Sequence, residues 1–394
     1  MNENMKVPEG WKMVRLGEII TENSKSPFKV EEAGNQGSFP FFTSGEGILR
    51  HSKFLIDNEN IFISTGGTAY VKYYNGKSSY SADTYSLKSK INTLYLYYFI
   101  YRKLNHITFR YFIGSGLEHL QKQDFKNSFE VIFPIDPNEQ QKIAEILETV
   151  DRAIEKTDKI IEKYKRIKQG LMQDLLTKGI DENGKIRSEK THKFKNSPLG
   201  RIPEDWEVVR LGEVSEIKGG KRLPKGEELI DEGHPYIRLV DIEGIRVNAS
   251  KVKYIPEKIK QLISRYVVSK NDVILSIAGT IGLVALIPNE LDGANLTENA
   301  VKITNLKNLD KNFLAFILSN YLVQRQINML TGVVAQPKLA LFRLATILIS
   351  LPPLPEQQRI AEILSQIDNT IEKEEAYKQK LESIKKGLME DLLT

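Results

Sequence analysis

The residues that first suggest chemistry are the small polar cluster "STGGTA" at Ser64–Ala69 and the "NGKSS" at Asn75–Ser79. A phosphate-cradling loop needs a glycine, four intervening residues and then Gly-Lys-Ser/Thr. Asn75–Ser79 supplies Gly76, Lys77 and Ser78, but the leading glycine position is Val71, so the pattern fails. Ser64–Ala69 has its glycines without the Gly-x-Gly-x-x-Gly spacing that a dinucleotide turn requires in a βαβ context. Five histidines, His51, His106, His119, His192 and His234, show no metal-ligand spacing. No Gly-x-Ser-x-Gly elbow, methyltransferase-like glycine loop or Pro-Pro-Tyr signature is present. Carboxylate pairs and Glu-x-Lys triplets of the nuclease kind are scattered along the chain, but 27% charged residues produce them inevitably. The expectation is a chain with no catalytic residues, no metal site and no cofactor of its own.

The polar loops fit binding better. Sequence in a duplex is read at base edges while phosphate contacts fix the register. That work needs Arg, Lys, Asn, Gln and hydroxyl side chains beside glycines that allow close approach. In the first half, "TSGEGILRHSK" offers Thr43, Ser44, Arg50 and Lys53, and "YVKYYNGKSSY" offers Lys72, Tyr73, Tyr74 and Lys77. In the second half, "EIKGGKRLPKGEE" offers Lys218, Lys221, Arg222 and Lys225, and "GVVAQPKLA" offers Gln336 and Lys338. These are the candidate DNA-binding residues.

What positions such loops is an internal repeat. Glu139–Thr177 and Glu356–Thr394 are identical at 22 of 39 positions without a gap, far above chance. "VPEGWKMVRLGEI" (Val7–Ile19) matches "IPEDWEVVRLGEV" (Ile202–Val214), pairing Trp11 with Trp206, and "IFISTGGT" (Ile61–Thr68) more faintly matches "VILSIAGT" (Val273–Thr280). The chain is therefore two related globular lobes, each followed by a nearly unchanged helical segment. The boundaries are a first lobe over 1–137, a helix over 138–177, a linker over 178–200, a second lobe over 201–353 and a helix over 354–394.

Both repeat segments are rich in Glu, Lys, Gln, Leu and Ile and lack an internal proline, so they read as helices. Asp136 stands as N-cap of the first, with Glu139 placed to close a capping box; the second keeps Pro355 but loses the capping side chain. Ile143, Leu147, Val150 and Ile154 fall at coiled-coil spacing, as do Ile360, Leu364, Ile367 and Ile371. Tyr164, Ile167 and Leu171 resume the stripe after a phase slip, echoed by Leu381, Ile384 and Leu388. Neither helix hides its stripe alone, and the simplest solution is that each covers the other. The polar linker favours antiparallel packing, with the lobes at opposite ends of a rod about 60 Å long. The fold expected is α+β: two mixed α/β domains joined by two long antiparallel coiled-coil helices with a pseudo-twofold axis.

The totals agree with this. No apolar run reaches the length of a membrane span, no signal-peptide core stands at the start, and there is no cysteine, so a cytoplasmic location is expected. The net charge is +5, and the excess lies outside the two repeat segments.

"LPEQQRIAEIL" with its earlier twin, "IPEDWEVVRLGEV", "SIAGTIG" and the "GLMEDLLT" that closes the second helix together resemble the specificity subunit of Type I restriction–modification enzymes. The resemblance covers essentially the whole chain. It implies two target-recognition domains, each reading one half of a bipartite double-stranded DNA target. It implies helices that act as a spacer and dock two methyltransferase subunits, with restriction and translocase subunits joining that core. S-adenosylmethionine and ATP would bind those partners. "STGGTAY" matches "SIAGTIG" only roughly, so residue roles in the second lobe do not transfer directly to the first. The alternative that the residues leave open is a coiled-coil interaction scaffold without DNA sequence readout.

Overall fold

The computed structural model describes residues 7–331 and 338–393. The chain divides into two compact units, Met1–Ile160 with Glu374–Thr394, and Ile161–Lys373. The division runs through the two long helices, Pro137–Leu175 and Leu354–Leu392, each of 39 residues. Each unit thus contains one lobe, the first part of the helix that follows it and the last part of the other helix.

The two lobes are built alike. In the first, strand Trp11–Arg15 pairs antiparallel with Glu130–Pro134, the strand that leads into the long helix. In the second, Glu207–Arg210 pairs antiparallel with Leu348–Leu351. The repeated "RLGE" makes the same short helix each time, its glutamate accepting from the arginine amide (Arg15 N to Glu18 Oε1 3.0 Å; Arg210 N to Glu213 Oε2 2.8 Å). Each lobe then forms a six-stranded sheet. The first is ordered Ile20–Glu22, Thr84–Ser89, Ile56–Ser64, Val71–Tyr80, Phe39–Phe42, Ile48–His51. The second is ordered Glu216–Gly219, Ala300–Thr304, Val273–Ser276, Val284–Leu286, Arg246–Val247, Ile242–Glu243. In both, a single parallel pairing interrupts an otherwise antiparallel sheet, Phe41 with Ser79 and Arg246 with Leu286. Each lobe carries an apolar helix, Thr93–Arg102 or Lys311–Ser319, followed directly by a second one, Leu104–Tyr111 or Tyr321–Thr331. In the second lobe the junction between them is Asn320, whose side chain accepts from the Leu322 amide and caps the new start.

A buried glutamine joins each long helix to its lobe. Gln140 donates to Pro134 O (2.8 Å) and accepts from the amide of Asn92, the N-cap residue of the lobe helix. Its repeat-mate Gln357 donates to Pro352 O (2.8 Å) and to Asn308 O (3.0 Å) and accepts from the amide of Asp310, again the N-cap residue. The neighbouring glutamates diverge. Glu139 is exposed, and its side chain makes no capping-box bond to the Asp136 amide among the described residues, although the Asp136 side chain does cap Asn138 N at 2.9 Å. Glu356 is buried and accepts from Ile180 N (2.9 Å), Trp206 Nε1 (3.1 Å) and Arg187 Nη2 (2.9 Å). Burial pushes the Glu356 carboxyl up, against the pull of the Ile180 amide, Arg187 and Trp206. The segment after the first helix wraps this carboxylate through Gly179 at φ +67°, where a side chain would collide with both Glu356 and Trp206.

Helix pairing is antiparallel within each unit. Lys378–Asp158 (2.7 Å) and Lys385–Asp151 (2.6 Å) join the helices in the first unit, and Lys168–Asp368 (2.5 Å) in the second. The stripe residues differ from the expectation of one helix covering the other. Ile143 and Leu147 are buried in the first lobe's core beside Met389 and Leu393, and Ile360 and Leu364 in the second lobe's core beside Leu175 and Leu176. Lobe and helix end together cover the opening turns. Val150, Ile154 and Ile367 are half-buried and Ile371 is buried. Ile167 and Ile384, which stand in corresponding places, are 38% and 42% exposed, because the slip in heptad phase turns them outward.

The pairs Asp151–Lys385 and Asp368–Lys168 are themselves repeat-mates, yet they end differently. Asp151 Oδ2 accepts from Tyr98 Oη at 2.7 Å, and Lys385 sits 5.7 Å over that ring. In the second unit Phe316 takes the tyrosine's place, with Lys168 5.8 Å over its ring. The buried Asp368 Oδ2 is left without a donor.

Two stability tests follow from these nodes. Phe316→Tyr should supply the missing donor and raise the unfolding free energy measured by urea titration by about 1 kcal/mol, while Tyr98→Phe should lower it by a similar amount. Glu356→Ala should cost about 3 kcal/mol by stranding Arg187, Trp206 Nε1 and Ile180 N, whereas Glu139→Ala should stay within about 0.5 kcal/mol of the parent. Equal effects of the two glutamate variants would contradict the asymmetry.

Candidate nucleic-acid interface

In each lobe the turn after the third strand of the sheet order is closed by a buried serine. Ser64 Oγ donates to Thr68 O (3.0 Å) and accepts from Tyr70 N (2.8 Å). Ser276 Oγ donates to Thr280 O (2.6 Å) and accepts from Leu283 N (2.7 Å). Both turns pass through a glycine in the left-handed region, Gly67 at φ +73° and Gly279 at φ +71°. A second loop docks on each turn. Leu120 N donates to Thr65 O, Gly67 N to Glu118 O, and Gly66 bridges to His119. In the second lobe Leu339 N donates to Ile277 O, and Ala278 bridges to Lys338. The signal for this feature was in the sequence, as "STGGT" matching "SIAGT", but its glycines pointed only to nucleotide loops whose spacing failed.

Around the first turn lie several of the expected binding residues, and the structure gives them internal work. Ser44 Oγ accepts from Thr65 N at 3.0 Å and donates to Asp83 O. Thr43 is buried. Lys72 Nζ donates to the carbonyls of Thr43 (3.3 Å), Gly45 and Gly47 (3.1 Å), which holds the 43–47 loop closed. Burial pushes its pKa down, with Glu46 opposing. Arg50 donates to Gly37 O and Ser38 O, both at 2.8 Å. Tyr73 is half-buried with its ring 5.9 Å from Tyr97, and burial, reinforced by Glu59, pushes its hydroxyl up. Tyr74 packs near Phe42 with ring centroids 5.7 Å apart. Lys53 and Lys77 are exposed, and Lys77 lies 4.9 Å over the Phe54 ring. Lys77 stands opposite Asp57, at the other end of the hairpin from the serine turn. The first lobe's candidates are thus not one cluster.

The second lobe gathers its candidates more closely. Gly220 N donates to Ala300 O, and Lys221 N to Leu296 O. Ala300 is the strand partner of Ser276, and Asn299 O accepts from Ile277 N and Ala278 N. The loops carrying Lys221, Arg222 and Lys338 therefore share the end of the sheet where the serine turn lies. Gly220 is required there, since a side chain would run into the Leu296 and Thr297 carbonyls. Lys221 lies 5.8 Å from the Tyr266 ring centroid. Arg222 is exposed and pairs with Glu298 at 2.5 Å. Burial works against the Glu298 carboxylate, but Arg222, its own amide and Thr297 together hold it below its ordinary value. Lys218 pairs with Glu216 at 2.6 Å and Lys225 is exposed. Gln336 lies outside the described residues. Among the described residues no group of His, Asp and Glu side chains is arranged to hold a metal ion, and no helix is long and apolar enough to cross a membrane.

Comparison with known proteins gives this architecture its context. The family described as "Type I restriction modification DNA specificity domain" matches residues 8–165 and again 203–383, once for each repeat. The MjaVIII specificity subunit of a Type I restriction enzyme from Methanocaldococcus jannaschii is 30% identical over 413 aligned positions, covering 99% of this chain and 93% of that one. The EcoDI specificity subunit of Escherichia coli is 28% identical over 236 positions, covering 56% of this chain and 52% of that protein. Among solved structures, the S subunit of a Type I restriction-modification system from M. genitalium superposes with a TM-score of 0.71 at 17% identity, covering 100% of this chain and 98% of that one. The doubled lobes, the doubled helix motif and the family's two matches to the two repeats coincide, and the chain belongs to the specificity subunits of Type I restriction–modification systems, the non-catalytic components that recognise the DNA target.

Proposed function

We propose that each lobe reads one half of a bipartite double-stranded DNA target and that the two long helices set the spacing between the halves. The observation that carries this is the contrast between frame and surface. The order of the first four sheet strands, a single parallel pairing, the glutamine node and the serine turn are repeated in both lobes, while the edge hairpin is reversed and the side chains displayed around the turn differ. One frame with two different surfaces suits two different half-sites. The target-recognition domains are residues 1–137 and 201–353, the spacer helices 138–177 and 354–394, and the linker 178–200.

The repetition of the helices, identical at 22 of 39 positions, supports a second assignment. Two copies of one methyltransferase subunit need two equivalent docking surfaces, which the repeated helices supply, and restriction and translocase subunits join that core. The partners bring the chemistry and its cofactors, and this chain brings the address. Its place is the cytoplasm, where that DNA is.

Exchange of residues 1–137 for the corresponding lobe of a relative, followed by mapping of methylated sites in cells that carry the methyltransferase partner, tests the reading. One half-site should change, while the other half-site and the spacer stay as before. Two unchanged half-sites would overturn it, and binding without sequence preference in band shifts of the partnered complex would favour a scaffold.

A further inference from the structure

We propose that Ser64 and Ser276 are positioning residues that each hold a two-loop apex, and that the exposed side chains on these apices are the base readers. In the first lobe these are Thr68, Glu118 and His119, and in the second Thr280 and Lys338. The inference rests on the DNA-reading assignment above and locates it at particular residues.

The frame argument comes first. The lobes have diverged so far that their sequences barely align, yet both keep a serine at 0–1% exposure that donates to the carbonyl four residues on and accepts from an amide at the far side of its turn, that of Tyr70 or Leu283. Both dock a second loop on that turn through the same backbone bond, Leu120 N to Thr65 O and Leu339 N to Ile277 O. A buried hydroxyl with both its bonds made rigidifies a turn at low cost. Base readout needs that rigidity, because a reading side chain must be held within a fraction of an ångström of its partner.

The side chains supply the second argument. The residues first suggested by composition are largely committed: Lys72 to three carbonyls, Arg50 to two, Ser44 to the turn itself and Arg222 to Glu298. At the apices the reverse holds. Thr68, Glu118, His119, Thr280 and Lys338 are exposed. Among the described residues, only the His119 ring has a polar contact there, at 3.3 Å from Thr65 O. Their chemistry matches base edges: a carboxylate accepts from the cytosine amino group, a lysine donates to guanine, and a hydroxyl serves either way. The two apices also present different sets, with an acid and an imidazole on one and an ammonium on the other, as two unlike half-sites require. Gly67 and Gly279, with no side chain at the crest of the turn, let the backbone come close to the groove.

The test uses the full chain expressed with its methyltransferase partner, with methylated motifs mapped across the genome. Glu118→Ala and His119→Ala should raise methylation at first half-sites that differ by one base about tenfold and leave the second half-site at its original stringency. Lys338→Ala should do the reverse. Ser64→Ala and Ser276→Ala should relax the same half-sites as the exposed variants of their own lobe. The proposal is overturned if all three exposed variants keep both half-sites at wild-type stringency, whatever the serine variants do. The positioning role is overturned if the serine variants lower methylation without changing which bases are accepted. A wild-type complex that methylates no bipartite motif would instead remove the assignment of one half-site to each lobe.

Discussion

The organisation depends on a buried amide that each lobe shares with its helix. A glutamine side chain can both donate and accept, and Gln140 and Gln357 use both capacities in the same way. The nitrogen ties back to the carbonyl just before the helix, and the oxygen takes the amide at the start of the lobe's own apolar helix. Without that acceptor, a backbone amide would stay unpaired beside a packed core. The bond fixes where the long helix leaves the lobe. This accounts for glutamine being kept in both copies while its neighbour Glu139/Glu356 is exposed in one and buried in the other.

The electrostatic arrangement builds on that geometry. Each unit has an aspartate–lysine pair between antiparallel helix segments, and in each the lysine also lies over an aromatic ring from the lobe helix. Helix-to-helix and helix-to-lobe contacts thus meet at one point. The second unit adds the Glu356 node, where the chain that follows the first helix folds around the start of the second. That linker looks merely polar in composition, but Ile180, Arg187 and Trp206 make it a structural collar.

Much of this was legible in the sequence. The doubled helix and the doubled "RLGE" segment stand where the repeat places them, because they rest on local periodicity and capping. The binding surface was less legible. Lysine, arginine and tyrosine in glycine-rich loops are what a DNA surface needs, but they are also what a loop needs to hold itself closed. Lys72 illustrates the ambiguity: its ammonium group satisfies carbonyls from a loop nearly thirty residues away, a contact that only the folded chain brings about. Ser64 and Ser276 went unremarked for a related reason, since a serine beside a glycine turn has many ordinary uses and only the repetition of its bonds makes it distinctive. The stripe residues Ile143 and Ile360 stand on the helices as expected, yet lobe side chains as well as the other helix cover them, which heptad spacing cannot report.

The difference between Tyr98 and Phe316 has a meaning for how such chains change. Lobes that sit on interchangeable helices invite exchange by recombination, since the helix genes align even where the lobes do not. A transplanted lobe carries its own aromatic residue to the aspartate that awaits it. One bearing tyrosine completes the carboxylate, and one bearing phenylalanine leaves an oxygen bare. That single hydroxyl is a point at which a lobe and the helix it sits on have to match, and this chain holds one matched and one unmatched junction.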